Sequence, residues 1–501
     1  MRSWHWLALY ALVIVVALAR VAATVRTFSP VVDEPVHIAS GYEWWRGNVS
    51  FDPPHPPLAR LLAAWPLRHV TPPASTDLNG RGHALLDDGG DLMPHLARAR
   101  MANLLFLALA LVCTIVWGLR FGRGVALLAA AMLASLPPIL GHAGVATTDM
   151  AVAATLPLAL LAVDRWLRER TYRNALLAGG AIGLGALSKF SFVLFFPVSL
   201  LALLIARRPR LEAKRTAIGV VIAACAALLL IWAGYRFTFG TSDTWPNLPM
   251  PAPAFLHGLT IVQRHNALGH DSYLFGSVHH FGWWYYFPVV FFFKTPLPFL
   301  LLAGIGAAVI ATRRREALDL VLIPAAVMLS VLPSTINIGI RHILPIYPPL
   351  CVVAAIGAAS LWQNRRAHVA AAAASVGLGV WLFGGVALAH PDYLAWFNEA
   401  GERHPERIAV DSNLDWGQDA LRLRRFVRQQ HIPEIFLFCY DTVPIDHGIH
   451  LPPARKAHGW VAVGETLIHI DPYARAGAYD WLREYEPVGR IGTSIRLYHI
   501  P

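Results

Sequence analysis

The sequence predicts an α-helical polytopic membrane protein with about eleven spans and a small α/β domain outside the bilayer. Three observations predict it. Of the 501 residues, 56% are hydrophobic and only 15% are charged, with a mean hydropathy of +0.47, whereas an ordinary soluble domain carries about 25% charge. Apolar runs of roughly 20 residues recur along the chain, long enough to cross a hydrocarbon core and apolar on every face. Arg and Lys gather in every second connection between those runs, the distribution that orients membrane proteins. The formal charge of +11 therefore reads as an orientation signal and not as a nucleic-acid surface. Cys113, Cys225 and Cys351 fall inside apolar runs and Cys439 lies elsewhere, so no disulfide framework is implied.

The first run, residues 4–25, follows Arg2 and ends beside Ala22-Ala23, a weak cleavage signal. It reads as a retained span, and with or without cleavage it delivers the next loop to the outer side. Further spans are expected at 99–119, 125–140, 150–163, 175–187, 192–206, 217–233, 286–311, 318–332, 343–362 and 369–389. Arg120 and Arg123, then Arg165, Arg168, Arg170 and Arg173, occupy the first two basic connections. Arg207, Arg208, Arg210, Lys214 and Arg215, then Arg313 to Arg315, then Arg365 and Arg366, occupy the others. With the amino terminus inside, all become cytoplasmic, and the carboxy-terminal part lies outside. This divides the chain into a membrane domain, 1–390, with outer loops 26–98 and 235–285, and an extracytoplasmic domain, 391–501. In the latter, residues 407–411 read as a strand, 415–431 as an amphipathic helix and 434–440 as a second strand.

The chemistry concentrates in the first outer loop, VDEPVHIASGYEWWRGNVSFDPPHPPL from Val32 to Leu58. Asp33 and Glu34 stand side by side, a short aromatic helix follows, and prolines 53, 54, 56 and 57 stiffen the end. Asp33 suits a general base taking a proton from an attacking hydroxyl; the plainer reading is an acid at a helix start. Asp149, after Thr147-Thr148, suits a helix cap or a second acid fixing an acceptor or a metal. Lys189 and Arg341 are cations at outer span ends, fit either to snorkel to headgroups or to clamp a lipid phosphate. His55 and His342 share their side of the bilayer. In the 235–285 loop, His265, His270, Asp271, His279 and His280 match no zinc spacing and read as lining a polar acceptor cleft. Lys294 is the clearest ionisable group within a span. Polar residues converging at one surface favour an interfacial enzyme over a transporter, which places them near mid-membrane. A lipid-linked sugar flippase and a non-catalytic receptor or scaffold are the alternatives.

An acid pair in the first outer loop followed by His55-Pro56-Pro57-Leu58 resembles family 39 glycosyltransferases, the protein O-mannosyltransferase and aminoarabinose transferase type. Thr148-Asp149, Ser188-Lys189, and Arg341 ahead of Pro345-x-Tyr347-Pro348-Pro349 extend the likeness. Gly282 to Pro288, Lys294 to Leu297 and Asp411 to Asp419 look like blocks of bacterial members. The resemblance implies a GT-C membrane fold, a polyprenyl-phosphate-linked monosaccharide donor of mannose-like kind, and inverting transfer to an acceptor hydroxyl on a protein, lipid or glycan. It places the chain in a bacterial inner membrane. Asp33 maps onto the family's base, with Glu34 beside it. Arg341 and Lys189 would meet the phosphate, and His55, Asp149, His342, His270 and Tyr347 would line the donor and acceptor sites. A divalent metal is a further expectation, with Asp33, Asp149 and His279 as candidate ligands. Phe190 stands where glycine is frequent in the family.

Overall fold

The structure is a computed structural model that describes all residues except 1–2, 53, 74–76, 210–211, 363–367, 441, 452–454 and 471–476. Pro53, Arg210, Arg365 and Arg366 lie outside the described residues. Each of the expected apolar runs is helical. Six helices, Trp4–Ala22, Met93–Leu119, Asp149–Arg168, Ala213–Gly234, Ile340–Trp362 and Val369–Leu388, are long and apolar enough to cross a membrane. The pairs Arg123–Leu133 with Pro137–Ala143 and Tyr286–Lys294 with Leu297–Arg313 bring the number to eight if each counts as one span. They bend by 63° and 114°, where Pro137-Pro138 and Pro296 interrupt the backbone ladder. Tyr172–Ala186, Ser191–Arg207 and Asp319–Val331 are 15, 17 and 13 residues long. At about 1.5 Å per residue these three are shorter than a hydrocarbon core.

Backbone contact through glycine holds part of the bundle. A Cβ on Gly306 would sit 1.9 Å from the Val353 carbonyl oxygen, and one on Gly357 2.2 Å from that of Leu302. Leu297–Arg313 and Tyr347–Trp362 therefore meet with no side chain between them, the close approach that small residues allow in membranes. At one end of the bundle the basic connections share acids. Asp319 takes Arg120 at 2.8 Å and Arg207 at 3.0 Å, and Arg207 also reaches Asp164 at 3.1 Å.

At the other end, the 26–98 loop folds into helices Asp33–Trp45, Pro57–Ala64 and Leu78–Leu86. The aromatic stretch satisfies its polar tips on carbonyls: Tyr42 donates to Val70 at 2.8 Å, Trp44 to Gly234 at 2.9 Å and Trp45 to Leu61 at 3.1 Å. The 235–285 loop carries two hairpins, β1 (Phe239–Ser242) with β2 (Trp245–Pro251) and β3 (Ser272–Leu274) with β4 (Ser277–His279). The carboxy-terminal sheet contains β5 (Ile435–Phe438), β6 (Gly448–His450), β7 (Gly459–Gly464), β8 (Gly489–Ile491) and β9 (Ile495–Ile500) in the order β6-β5-β7-β9-β8. β5 runs parallel to β6 and β7, and β9 antiparallel to β7 and β8. Period-two alternation splits the faces: Leu437, Ala462 and Leu497 pack on Leu423 and Val427 of the helix, while Phe438, Val461 and Tyr498 pack on Tyr479 and Trp481.

Two expectations here fail. Residues 407–411 form no strand: short 3-10 turns at Pro405–Arg407 and Asp411–Asn413 flank them, and Asp411 has a positive φ of 57°. Ile408, Ala409 and Val410 are instead buried in the core of the membrane body. The helix begins at Ala420 and not at 415, because Asp415 uses its carboxylate on the Gly417 and Thr466 amides at 3.2 and 2.9 Å. The segment before it is pinned to the bundle. Lys294 Nζ donates to the Leu394 and Asn413 carbonyls at 2.8 and 2.7 Å, and Asn398 donates to those of Phe292 and Thr295 at 2.6 and 3.0 Å.

Candidate active site

Asp33 and Glu34 open the first turn of Asp33–Trp45, where the helix dipole favours acids, and they face different surroundings. Glu34 is fully buried. Arg100 holds it in a fork, Nε to Oε1 and Nη2 to Oε2 both at 2.7 Å. The amides of Val31 and Ala146 donate to the same oxygens at 2.8 and 2.7 Å. The remaining N–H groups of Arg100 go to the carbonyls of Val25, Phe28 and Ser29 at 2.8, 2.9 and 2.7 Å, so all five guanidinium donors are used. Glu34, expected beside Asp33 in the catalytic machinery, is thus a fastening between the first span, the loop helix and the turn before Asp149.

With that register fixed, Asp33 points into a cavity of about 1150 Å³. Arg341 Nη1 meets its Oδ2 at 2.6 Å, and the Arg341 guanidinium lies 4.3 Å over the Trp416 ring. Burial pushes the Asp33 carboxyl up, but Arg341 and then His37 outweigh it, leaving it below the usual carboxylate range. His37, His55, Lys189, His270, His342 and Asp411 line the same cavity. Lys189 pairs with Asp149 at 2.5 Å, and Thr147 Oγ1 donates to the other Asp149 oxygen at 2.9 Å. Asp149 makes no capping hydrogen bond and is buried behind Lys189, off the cavity wall. The wall also carries apolar side chains, among them Val193, Leu194, Phe195, Leu259, Val262 and Val331. Charged groups and apolar side chains lining one cavity suit an amphiphile with a polar head.

Residues 96–232 match the family model described as dolichyl-phosphate-mannose-protein mannosyltransferase. The whole architecture is similar to the crystal structure of ArnT from Cupriavidus metallidurans bound to undecaprenyl phosphate. The TM-score is 0.54 at 14% identity, over 99% of this chain and 98% of that one. The chain shares the GT-C membrane fold of that structure. The Archaeoglobus fulgidus oligosaccharyltransferase, tethered to an acceptor peptide containing the NVT sequon, matches with a TM-score of 0.53. Identity there is 12%, over 99% of this chain and 74% of that one. No curated protein matches.

The other expected residues divide clearly. Tyr347 is buried in the helix core, its hydroxyl 2.9 Å from Thr295 Oγ1, and does not reach the cavity. His279 is exposed on β4, stacked 4.7 Å from the Trp283 ring, and among the described residues belongs to no cluster of potential metal ligands. His270 reaches the wall beside His265, ring nitrogens 3.3 Å apart, and burial holds it below the usual histidine range. Among the described residues, the acids and histidines whose ligand atoms gather are not Asp33, Asp149 and His279 but His37, Asp52 and His55, within 4.8 Å of one another. Burial, then the neighbouring His55, pushes His37 down to about 3, so its imidazole is neutral and offers a lone pair. Two imidazoles and a carboxylate form a donor set suited to zinc-class ions.

Sequence reasoning missed Asp411, Trp416 and His37. The first two lie in the block from Asp411 to Asp419, whose dense polarity was visible but whose partner, Arg341, is 70 residues away. Asp411 sits in the left-handed region, φ 57°, with Oδ1 2.5 Å from the Ser412 amide. Burial pushes this carboxyl up to about 6 against the opposing pull of Arg341.

Proposed function

We propose that this glycosyltransferase moves a monosaccharide from a polyprenyl-phosphate carrier to an acceptor hydroxyl at the outer face of a bacterial inner membrane, with inversion at the anomeric carbon. The observation that carries the reading is the Asp33–Arg341 pair at 2.6 Å on the wall of a cavity lined by both charged and apolar side chains. The undecaprenyl phosphate held by the similar ArnT structure supports the carrier. A mannose-like sugar is the reading the family model favours.

The acceptor oxygen attacks the anomeric carbon as its proton passes to an Asp33 carboxylate oxygen. The bond from that carbon to the phosphate oxygen breaks, and its electron pair leaves with the polyprenyl phosphate. Phosphate is a good leaving group, so no general acid is required, unlike the two-carboxylate arrangement of glycosidases. Arg341 and Lys189 line the cavity and would stabilise charge gathering on the phosphate. Arg341 neutralises Asp33 across their 2.6 Å contact. A donor phosphate drawing Arg341 toward itself would lift that restraint and raise the basicity of Asp33, coupling base activation to donor loading. Residues 391–501 form, in this reading, an extracytoplasmic domain that closes the site with Asp411, Trp416, Tyr440 and Thr466.

Incubating the purified protein with radiolabelled polyprenyl-phosphate sugars and a mixture of acceptors tests the reaction class. Transfer releases free polyprenyl phosphate. Movement of label across a vesicle membrane without bond cleavage would identify a flippase instead.

A further inference from the structure

We propose that His37, Asp52 and His55 form a binding site for one first-row divalent cation of the zinc class, fastening the proline loop to the helix that carries Asp33. The donors come from two elements, His37 from the Asp33 helix and Asp52 with His55 from the loop before Pro57–Ala64. Their ligand atoms lie within 4.8 Å of one another. His37 Nδ1 is buried and has no hydrogen-bond partner among the described residues. An orphaned buried ring nitrogen is costly unless something occupies it.

The surroundings of Asp52 are those of an oriented ligand. Ser40 Oγ at 3.2 Å, His55 Nδ1 at 3.1 Å and Arg60 Nη1 at 3.0 Å all converge on Oδ2. Such outer contacts fix a carboxylate and leave its other oxygen to the ion. The same His55 contact keeps Nδ1 engaged and leaves Nε2 as the free donor atom. Both imidazoles also line the cavity, so the site lies where a ligand can arrive. His37 is one helical turn from Asp33, on the same face. The cation is therefore a positioning device for the Asp33 helix, and it enters no chemical step.

The location rests on the proposed active site, but the test does not need turnover. The full-length protein in detergent is stripped with a chelator, reloaded with Zn²⁺ or Co²⁺, desalted, and its metal content measured together with the visible spectrum of the Co²⁺ form. The site predicts about one retained equivalent, a nitrogen-ligated Co²⁺ spectrum, and a chelator-dependent drop in Tm. His37→Ala and the milder His55→Gln, at a half-exposed position, should each lower retained metal by about 10-fold or more and abolish the chelator effect on Tm. His279→Ala should retain the ion. A wild-type protein that holds no equivalent, or His37 and His55 variants that both hold it, overturns the site. Stoichiometric metal without sugar transfer would contradict the proposed function and leave this site standing; transfer by a wild-type protein that retains no equivalent after reloading would do the reverse.

Discussion

Arg100 shows how a single residue sets the stage without touching substrate. Its five donors and the two Glu34 oxygens are matched within a buried setting. Arg100→Ala leaves Glu34 buried and unpaired, a change that costs roughly 3–5 kcal/mol. Thermal unfolding in detergent should show a large loss of Tm, and an unaltered Tm would remove the fastening role. Asp411 supplies a pH signature. Burial pushes its carboxyl up to about 6, above the ordinary aspartate value of about 4, so between these pH values the folded protein keeps a proton that the unfolded chain has released. Stability therefore falls as pH rises from about 4 to about 6 and is level above. Asp411→Asn keeps an acceptor for the Ser412 amide and tolerates the left-handed backbone. It should flatten that slope and raise Tm at pH 7.5; an unchanged slope would assign the titration to another group.

At the scale of elements, close helix contact and bent helices shape the space beneath the site. Gly306 lies against the Val353 carbonyl with no room for a methyl group. Gly306→Val must push Leu297–Arg313 away from Tyr347–Trp362, an overpacking cost of about 1–3 kcal/mol. A lowered Tm with normal membrane insertion is the expected result, and wild-type stability would show that the two helices are not held in this contact. The apolar periodicity made the helices legible, but the breaks at Pro137-Pro138 and Pro296 fall inside runs, 125–140 and 286–311, that read as continuous spans. The missed elements have local causes. Residues 407–411 look extended in pattern, yet the left-handed Asp411 and the burial of Ile408 to Val410 in the membrane body leave no partner strand. Tyr347 fits a motif block, but its place on the buried face of its helix turns the hydroxyl to Thr295.

For the molecule as a whole, composition and the arginine pattern predicted the membrane class, and the first-loop acids pointed to the cavity. What sequence could not display were partners joined only by folding: Glu34 with Arg100, Asp149 with Lys189, and Asp411 near Arg341. Each pairing joins residues of opposite charge from distant segments, and composition alone offers several candidates for every acid. The two adjacent acids carried no sign of which faced the cavity; the register imposed by Arg100 decides it. The central claim is that Asp33, paired with Arg341 in the cavity, is the base for sugar transfer from a lipid phosphate. The most direct measurement is the single-turnover rate of Asp33→Asn with a radiolabelled polyprenyl-phosphate sugar that the wild type consumes, at saturating acceptor and with Tm verified. The account predicts a rate lower by about 10²–10⁴-fold with donor binding retained, and a rate equal to that of the wild type would contradict it.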